Sequence, residues 1–69
     1  MTLIFNGETK DFADLAPGST VQQLVDQLGF KDDRVAVELN GEIVSRKQWA
    51  AVQLNAQDRL EVVHFVGGG

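Results

Sequence analysis

Cysteine is absent from this chain, and histidine occurs once, as His64. No disulfide, thiolate metal site or cysteine nucleophile is therefore available. One imidazole among scattered carboxylates does not build a zinc site, which wants four ligands, mostly Cys and His. Positive charge is also scarce: Lys and Arg number 6 against 10 Asp and Glu, for a formal net charge of −4. A chain with no basic run is a poor nucleic-acid binder, and it lacks the polybasic patch that favours an anionic membrane. Long-range steering favours a basic partner surface instead. No apolar run is long enough to span a bilayer. Met1-Thr2-Leu3 does not open a signal peptide, so the expected location is cytoplasmic. There is no glycine-rich phosphate loop, so ATP is not expected to bind this chain itself. Asp11, Asp14, Asp32 and Asp33 do not follow the spacing of a calcium loop and are read as surface charges.

What remains is a chain of 69 residues, 43% hydrophobic. That is one domain held by apolar packing alone. Thr2-Leu3-Ile4-Phe5 is β-branched and aromatic and reads as a strand. Asn6-Gly7 supplies the two positive-φ residues of a type I′ hairpin turn. Residues 8–12 then read as the return strand, its polar side chains marking a solvated face or a sheet edge. Ala16-Pro17-Gly18 is a turn.

Thr20 with Gln23 forms the capping-box pattern of a helix start. Val21, Leu24, Val25 and Leu28 follow at i, i+3, i+4 and i+7, which is one helical face. Gly29 suits the left-handed position past the helix end, with Phe30 folding back against it. So narrow a stripe must lie on a sheet. After a charged loop at Lys31-Asp32-Asp33, residues 34–39 alternate as a strand. Asn40-Gly41 signals a second hairpin turn into Glu42-Ile43-Val44. Ser45 with Gln48 is expected to cap one helical turn over residues 46–50. Residues 54–58 read as polar connection and residues 59–66 as a last strand. The order β, β, α, β, β, short turn, β predicts an α+β fold of about five strands wrapped on one main helix. The first and last strands are expected side by side at its centre.

The last strand is apolar on both faces near its end. Leu60, Val62 and Val66 are expected on the helix side, with Val63 and Phe65 opposite. Two readings of the second pair stand. They form, with Ile4, an exposed docking patch, or they pack under Trp49 and residues 46–50. Trp49 is expected as a core anchor, His64 as a packing or surface residue, and Arg46 and Lys47 as solvated charges. Gly67-Gly68-Gly69 have no side chains to bury. Following the apolar strand directly, they read as a slim tail reaching on the order of 10 Å when extended. The expected division is therefore a folded domain over residues 1–66 and a flexible glycine tail over residues 67–69. Such a tail suits threading of a carboxylate through Gly67 and Gly68 into a partner's narrow active site. A free carboxylate is a poor acyl donor until adenylation gives it a leaving group.

The ending from Asp58 to Gly69, with its His64-Phe65-Val66-Gly67-Gly68-Gly69, resembles that of ThiS, the sulfur-carrier family of thiamin thiazole biosynthesis. The resemblance runs through Leu3-Ile4-Phe5-Asn6-Gly7, Thr20-Val21-Gln22-Gln23-Leu24, Val35 to Gly41, Ile43-Val44 and the segment ending at Trp49. It covers essentially the whole chain. It implies the ubiquitin-like β-grasp fold. It also implies a role as protein cosubstrate and not enzyme, with no cofactor bound by this chain. A ThiF-like adenylyltransferase would use ATP to activate the Gly69 carboxylate. Persulfide sulfur from a cysteine desulfurase or the activating enzyme would convert it to a thiocarboxylate. A ThiG-like thiazole synthase would take that sulfur. The competing readings are a carrier serving another acceptor, such as the small subunit of molybdopterin synthase, a ubiquitin-like protein modifier, and a plain interaction module.

Overall fold

The computed structural model describes residues 1–66. Its elements are β1 (Thr2–Phe5), β2 (Glu8–Asp11), α1 (Val21–Leu28), β3 (Val35–Leu39), β4 (Glu42–Val44) and β5 (Arg59–His64). Short 3-10 turns occupy Asp32–Arg34 and Arg46–Gln48. The five strands form one mixed sheet in the order β2-β1-β5-β3-β4. β1 and β5 are parallel neighbours at its centre, with Ile4 opposite Arg59 and Phe5 opposite Leu60. β5 runs antiparallel to β3 from the Leu39–Leu60 pair to the Val35–His64 pair. Both hairpins turn as their Asn-Gly pairs predict, with φ of 49° and 83° at Asn6 and Gly7, and 51° and 88° at Asn40 and Gly41. One helix cradled by a five-stranded mixed sheet with a parallel central pair is the β-grasp arrangement.

The helix starts where its capping box says. The Thr20 hydroxyl accepts from the Gln23 amide (3.2 Å), and the Thr20 amide donates to Gln23 Oε1 (2.8 Å). Two further amides of the first turn have no partner within the helix. Val21 N–H donates to the Val52 carbonyl (2.9 Å) and Gln22 N–H to the Trp49 carbonyl (3.0 Å). The segment after β4 therefore serves as the helix's cap as well as a connection. Gly29 ends the helix at φ 79°. Val21, Leu24 and Val25 bury the helix stripe against Leu3, Val35, Val37, Val44, Leu60 and Val62 of the sheet. Trp49 closes this core at 1% exposure, as expected of an anchor, and its indole N–H donates to the Val44 carbonyl (3.0 Å).

Several boundaries differ from the sequence pattern, each for a packing reason. Phe12 leaves β2 and turns its ring into the core, its N–H donating to the Met1 carbonyl (2.8 Å). Leu54 is fully buried, because its N–H donates to Ser19 O (2.7 Å) and its carbonyl accepts from Gly18 N–H (3.2 Å). It belongs to the core and not to a polar connection. Ser45 makes no side-chain cap; its carbonyl instead accepts from Gln48 N–H (2.8 Å). β5 stops at His64, so Val66 lies beyond the sheet and is 84% exposed instead of facing the helix.

Candidate functional site

The far end of β5 is where the chain leaves the sheet. This strand is held on both flanks. On the β3 side it is paired along its length. On the β1 side only Ile4 and Phe5 pair with it, and beyond them the hairpin turn takes over. Asn6 N–H donates to the Leu60 carbonyl (2.8 Å). The Asn6 amide group then reaches one residue pair further: its Oδ1 accepts from Val62 N–H (2.7 Å) and its Nδ2 donates to the Val62 carbonyl (3.2 Å). The side chain imitates a strand neighbour where β1 has already turned away. The second turn does the same for the start of β5. Asn40 Oδ1 accepts from Arg59 N–H (2.9 Å), and Asn40 Nδ2 donates to Asp58 Oδ1 (3.1 Å). Asn-Gly thus carries a second meaning here. A period-2 reading finds the turn but not the clasp, which depends on where β5 lies in space.

His64 follows Leu60 and Val62 at two-residue spacing and so faces the helix side of the sheet. The helix does not extend that far. Phe30, in the loop after α1, covers the imidazole instead: the rings are stacked, with centroids 4.1 Å apart and planes 8° from parallel. The turn at Gly29 thus brings Phe30 to the end of β5. One residue on, Phe65 N–H donates to the Arg34 carbonyl (2.7 Å). An open cleft of about 320 Å³ lies here, lined by Phe30, Lys31, Arg34, His64, Phe65 and Val66 along with Gly29.

Val63 and Phe65 are 53% and 55% exposed. They are not covered by Trp49, which is buried on the other side of the sheet with Val44 and Val62. The exposed alternative for this pair is the observed one. Ile4 shares the outer face but sits beside Arg59, four positions before Val63, or roughly 13 Å along the strand. Between them Glu61 stands directly opposite Glu38. Next to Glu38, Ile43 is 80% exposed on β4. The structure therefore groups Val63 and Phe65 at the exit of β5 and leaves Ile4 apart, with a pair of carboxylates dividing the apolar surface. Ile43 was not legible as an outer-face residue from a three-residue strand.

Gly67, Gly68 and Gly69 lie outside the described residues. Among the described residues no three His, Asp or Glu side chains gather as a metal site, and every buried side-chain nitrogen and oxygen has a hydrogen-bond partner. Among the described residues no helix is long and apolar enough to cross a membrane.

A thiazole synthase of Paramagnetospirillum magneticum is 44% identical over 69 residues, a match that takes in all of this chain but 20% of that protein. The chain thus spans about a fifth of the length of the thiazole synthases it matches. The sulfur carrier protein ThiS of Escherichia coli K12 is 30% identical, with both chains covered in full. The crystal structure of the thiamine biosynthesis protein ThiS from Geobacter metallireducens superposes with a TM-score of 0.82 at 34% identity, again over the whole of both chains. The sequence model of the ThiS family matches residues 3–69, and with the β-grasp architecture and the clasped exit strand in place, this chain belongs to the ThiS family.

Proposed function

We propose that this protein is the sulfur carrier of thiamin thiazole synthesis, with the carboxylate of Gly69 as the group that carries the sulfur. The observation that supports this most is the full-length match to the ThiS family, which includes the glycines that follow β5. The fold is consistent with it. Among the described residues the histidine is stacked on Phe30 and every buried side-chain nitrogen and oxygen is paired. A protein of this kind is a cosubstrate. Its partners supply the catalysis, and it supplies a recognisable body and a reactive terminus.

The carboxylate attacks the α-phosphorus of ATP on a ThiF-like adenylyltransferase, forming an acyl-adenylate and releasing pyrophosphate. The terminal sulfur of a persulfide, charged by a cysteine desulfurase, attacks the acyl carbon and AMP departs. A second thiol attacks the inner sulfur of the former persulfide cysteine in the resulting acyl disulfide, forming a disulfide with it and losing its proton, and the thiocarboxylate is the leaving group. A ThiG-like thiazole synthase accepts that sulfur; similarity to thiazole synthases supports this partner. A cytoplasmic location fits the need for ATP. Gly67 and Gly68 suit the tail to a narrow active site, since a Cβ would thicken it. Val63 and Phe65, at the point where the chain leaves the sheet, are the docking residues closest in sequence to the tail. Ile4 is a separate contact on the same face.

Intact mass after incubation with ATP, a cysteine desulfurase, cysteine and a ThiF-like enzyme tests the reading. Replacement of one oxygen by one sulfur, mapped to Gly69, is expected. An unchanged mass with an enzyme that is active on another carrier would overturn it.

A further inference from the structure

The loop between α1 and β3 touches the chain at the last two residues where β5 is still held. Phe30 opens this loop and lays its ring flat on the His64 imidazole, centroids 4.1 Å apart. Arg34 closes it and offers its carbonyl to the Phe65 amide at 2.7 Å. On the opposite flank the last hold is earlier, at the Asn6 side chain on Val62. The exit of the chain is therefore gripped by one short segment, through a ring and through a backbone hydrogen bond.

The segment has its own support. Gly29 turns the backbone out of the helix in the left-handed region at φ 79°, which brings Phe30 over His64. Arg34 N–H donates to the Lys31 carbonyl (2.9 Å), closing the 3-10 turn. Gln22, on the helix, donates through Nε2 to Asp32 Oδ2 (3.0 Å) and to Asp26 Oδ1 (2.9 Å). The loop is thus tied to α1, and α1 is packed on the core.

We propose that Phe30 and His64 are positioning residues: with the Arg34 carbonyl they clamp the end of β5 and fix the point from which the chain leaves the sheet toward a partner's active site. This rests on the carrier reading. The physical reason is preorganisation. A tail whose starting point is held searches a smaller volume, so its acyl carbon reaches an enclosed nucleotide in more of its encounters. Of the docking residues, Val63 and Ile4 lie on the other side of the sheet from the Phe30–His64 stack, and Phe65 takes part in the clamp only through its backbone amide. Loss of the clamp should therefore slow activation while leaving docking intact.

The test uses Phe30→Ala, His64→Ala, the double variant, and His64→Phe, which keeps a flat ring. On the free protein, amide exchange at Phe65 is expected to speed up in both alanine variants, while the amides of Val37 and Val62 stay protected. With a ThiF-like adenylyltransferase, the maximal rate of pyrophosphate release is expected to fall about three- to tenfold in each alanine variant, the range of an aromatic pair. The Michaelis constant for the carrier stays within about twofold. The double variant is no slower than the slower single one, since the two rings act as one unit. His64→Phe restores most of the rate. Parental protection at Phe65 in Phe30→Ala overturns the clamp. So does a parental rate in both alanine variants, or a loss of rate that follows loss of thermal stability and is not rescued by His64→Phe. A parent protein that is never adenylated overturns the carrier reading instead, and exchange at Phe65, read without any partner, still decides the clamp.

Discussion

The side-chain amide of Asn6 bonds both backbone groups of Val62, accepting from its N–H at 2.7 Å and donating to its carbonyl at 3.2 Å. Residues 56 positions apart in the chain are joined as if by strand pairing. Asparagine alone among the turn-forming side chains offers a donor and an acceptor in this geometry. Asn6→Asp keeps tolerance for the positive φ but presents only acceptors, leaving the Val62 carbonyl without its donor. The expected loss is about 1–3 kcal/mol, read by urea denaturation. Asn6→Gly, which favours the turn but removes both bonds, should fall in the same range. Stability equal to the parent in both variants would show that the clasp is incidental.

Trp49 joins packing and hydrogen bonding at one position, fully enclosed and bonded to Val44 O at 3.0 Å. Trp49→Ala is expected to cost about 3–5 kcal/mol through the cavity alone. For a domain this small that is a large part of its total stability. Trp49→Phe should be milder. The test is a thermal melt followed by circular dichroism. The alanine variant is expected to be largely unfolded at room temperature, and a cooperative melt near the parent's would refute the anchor role.

Glu38 and Glu61 are directly opposite on antiparallel strands, both exposed. Like charges so placed repel. Glu61→Gln should raise the melting temperature slightly at low salt, and the gain should shrink as salt screens the pair. If a basic partner reads this pair, the same substitution weakens binding. Opposite signs in the melt and in the binding assay are the expected signature.

Val63 and Phe65 are each about half exposed at the exit of the sheet. Val63→Asp is expected to leave a cooperative melt and to weaken partner binding. A protein that fails to fold would return Val63 to the core. Val62→Asp, one residue away and buried, serves as the contrast and should unfold the domain.

Deleting Gly68 and Gly69 is expected to abolish sulfur transfer with no change in melting temperature, since the core is built from residues up to Val62. Thiazole formation by the truncated protein would end the carrier reading.

Local chemistry made much of this protein legible in advance. A capping box, a stripe at helical spacing and a left-handed glycine define α1 almost to the residue, because each acts over a few neighbours. Two Asn-Gly pairs do the same for the hairpins. The exposed or buried status of Val63 and Phe65 was not legible, because alternation says which residues share a face and not what covers it. Leu54 was misread as polar connection for a related reason: outside regular elements no periodicity marks a core residue, and Phe12, read as the end of the return strand, lies just past β2.

By itself the sequence determined the element order, the turns, the helix with both its ends, the absence of any thiol, and a glycine ending that follows an apolar strand. Those properties depend on contacts within a few residues or on composition. Only the tertiary structure decided that both turn asparagines clasp β5, that the segment from Trp49 to Val52 caps α1, and that Phe30 meets His64. Each joins groups distant along the chain, and their meeting is set by the packing of one helix on one twisted sheet.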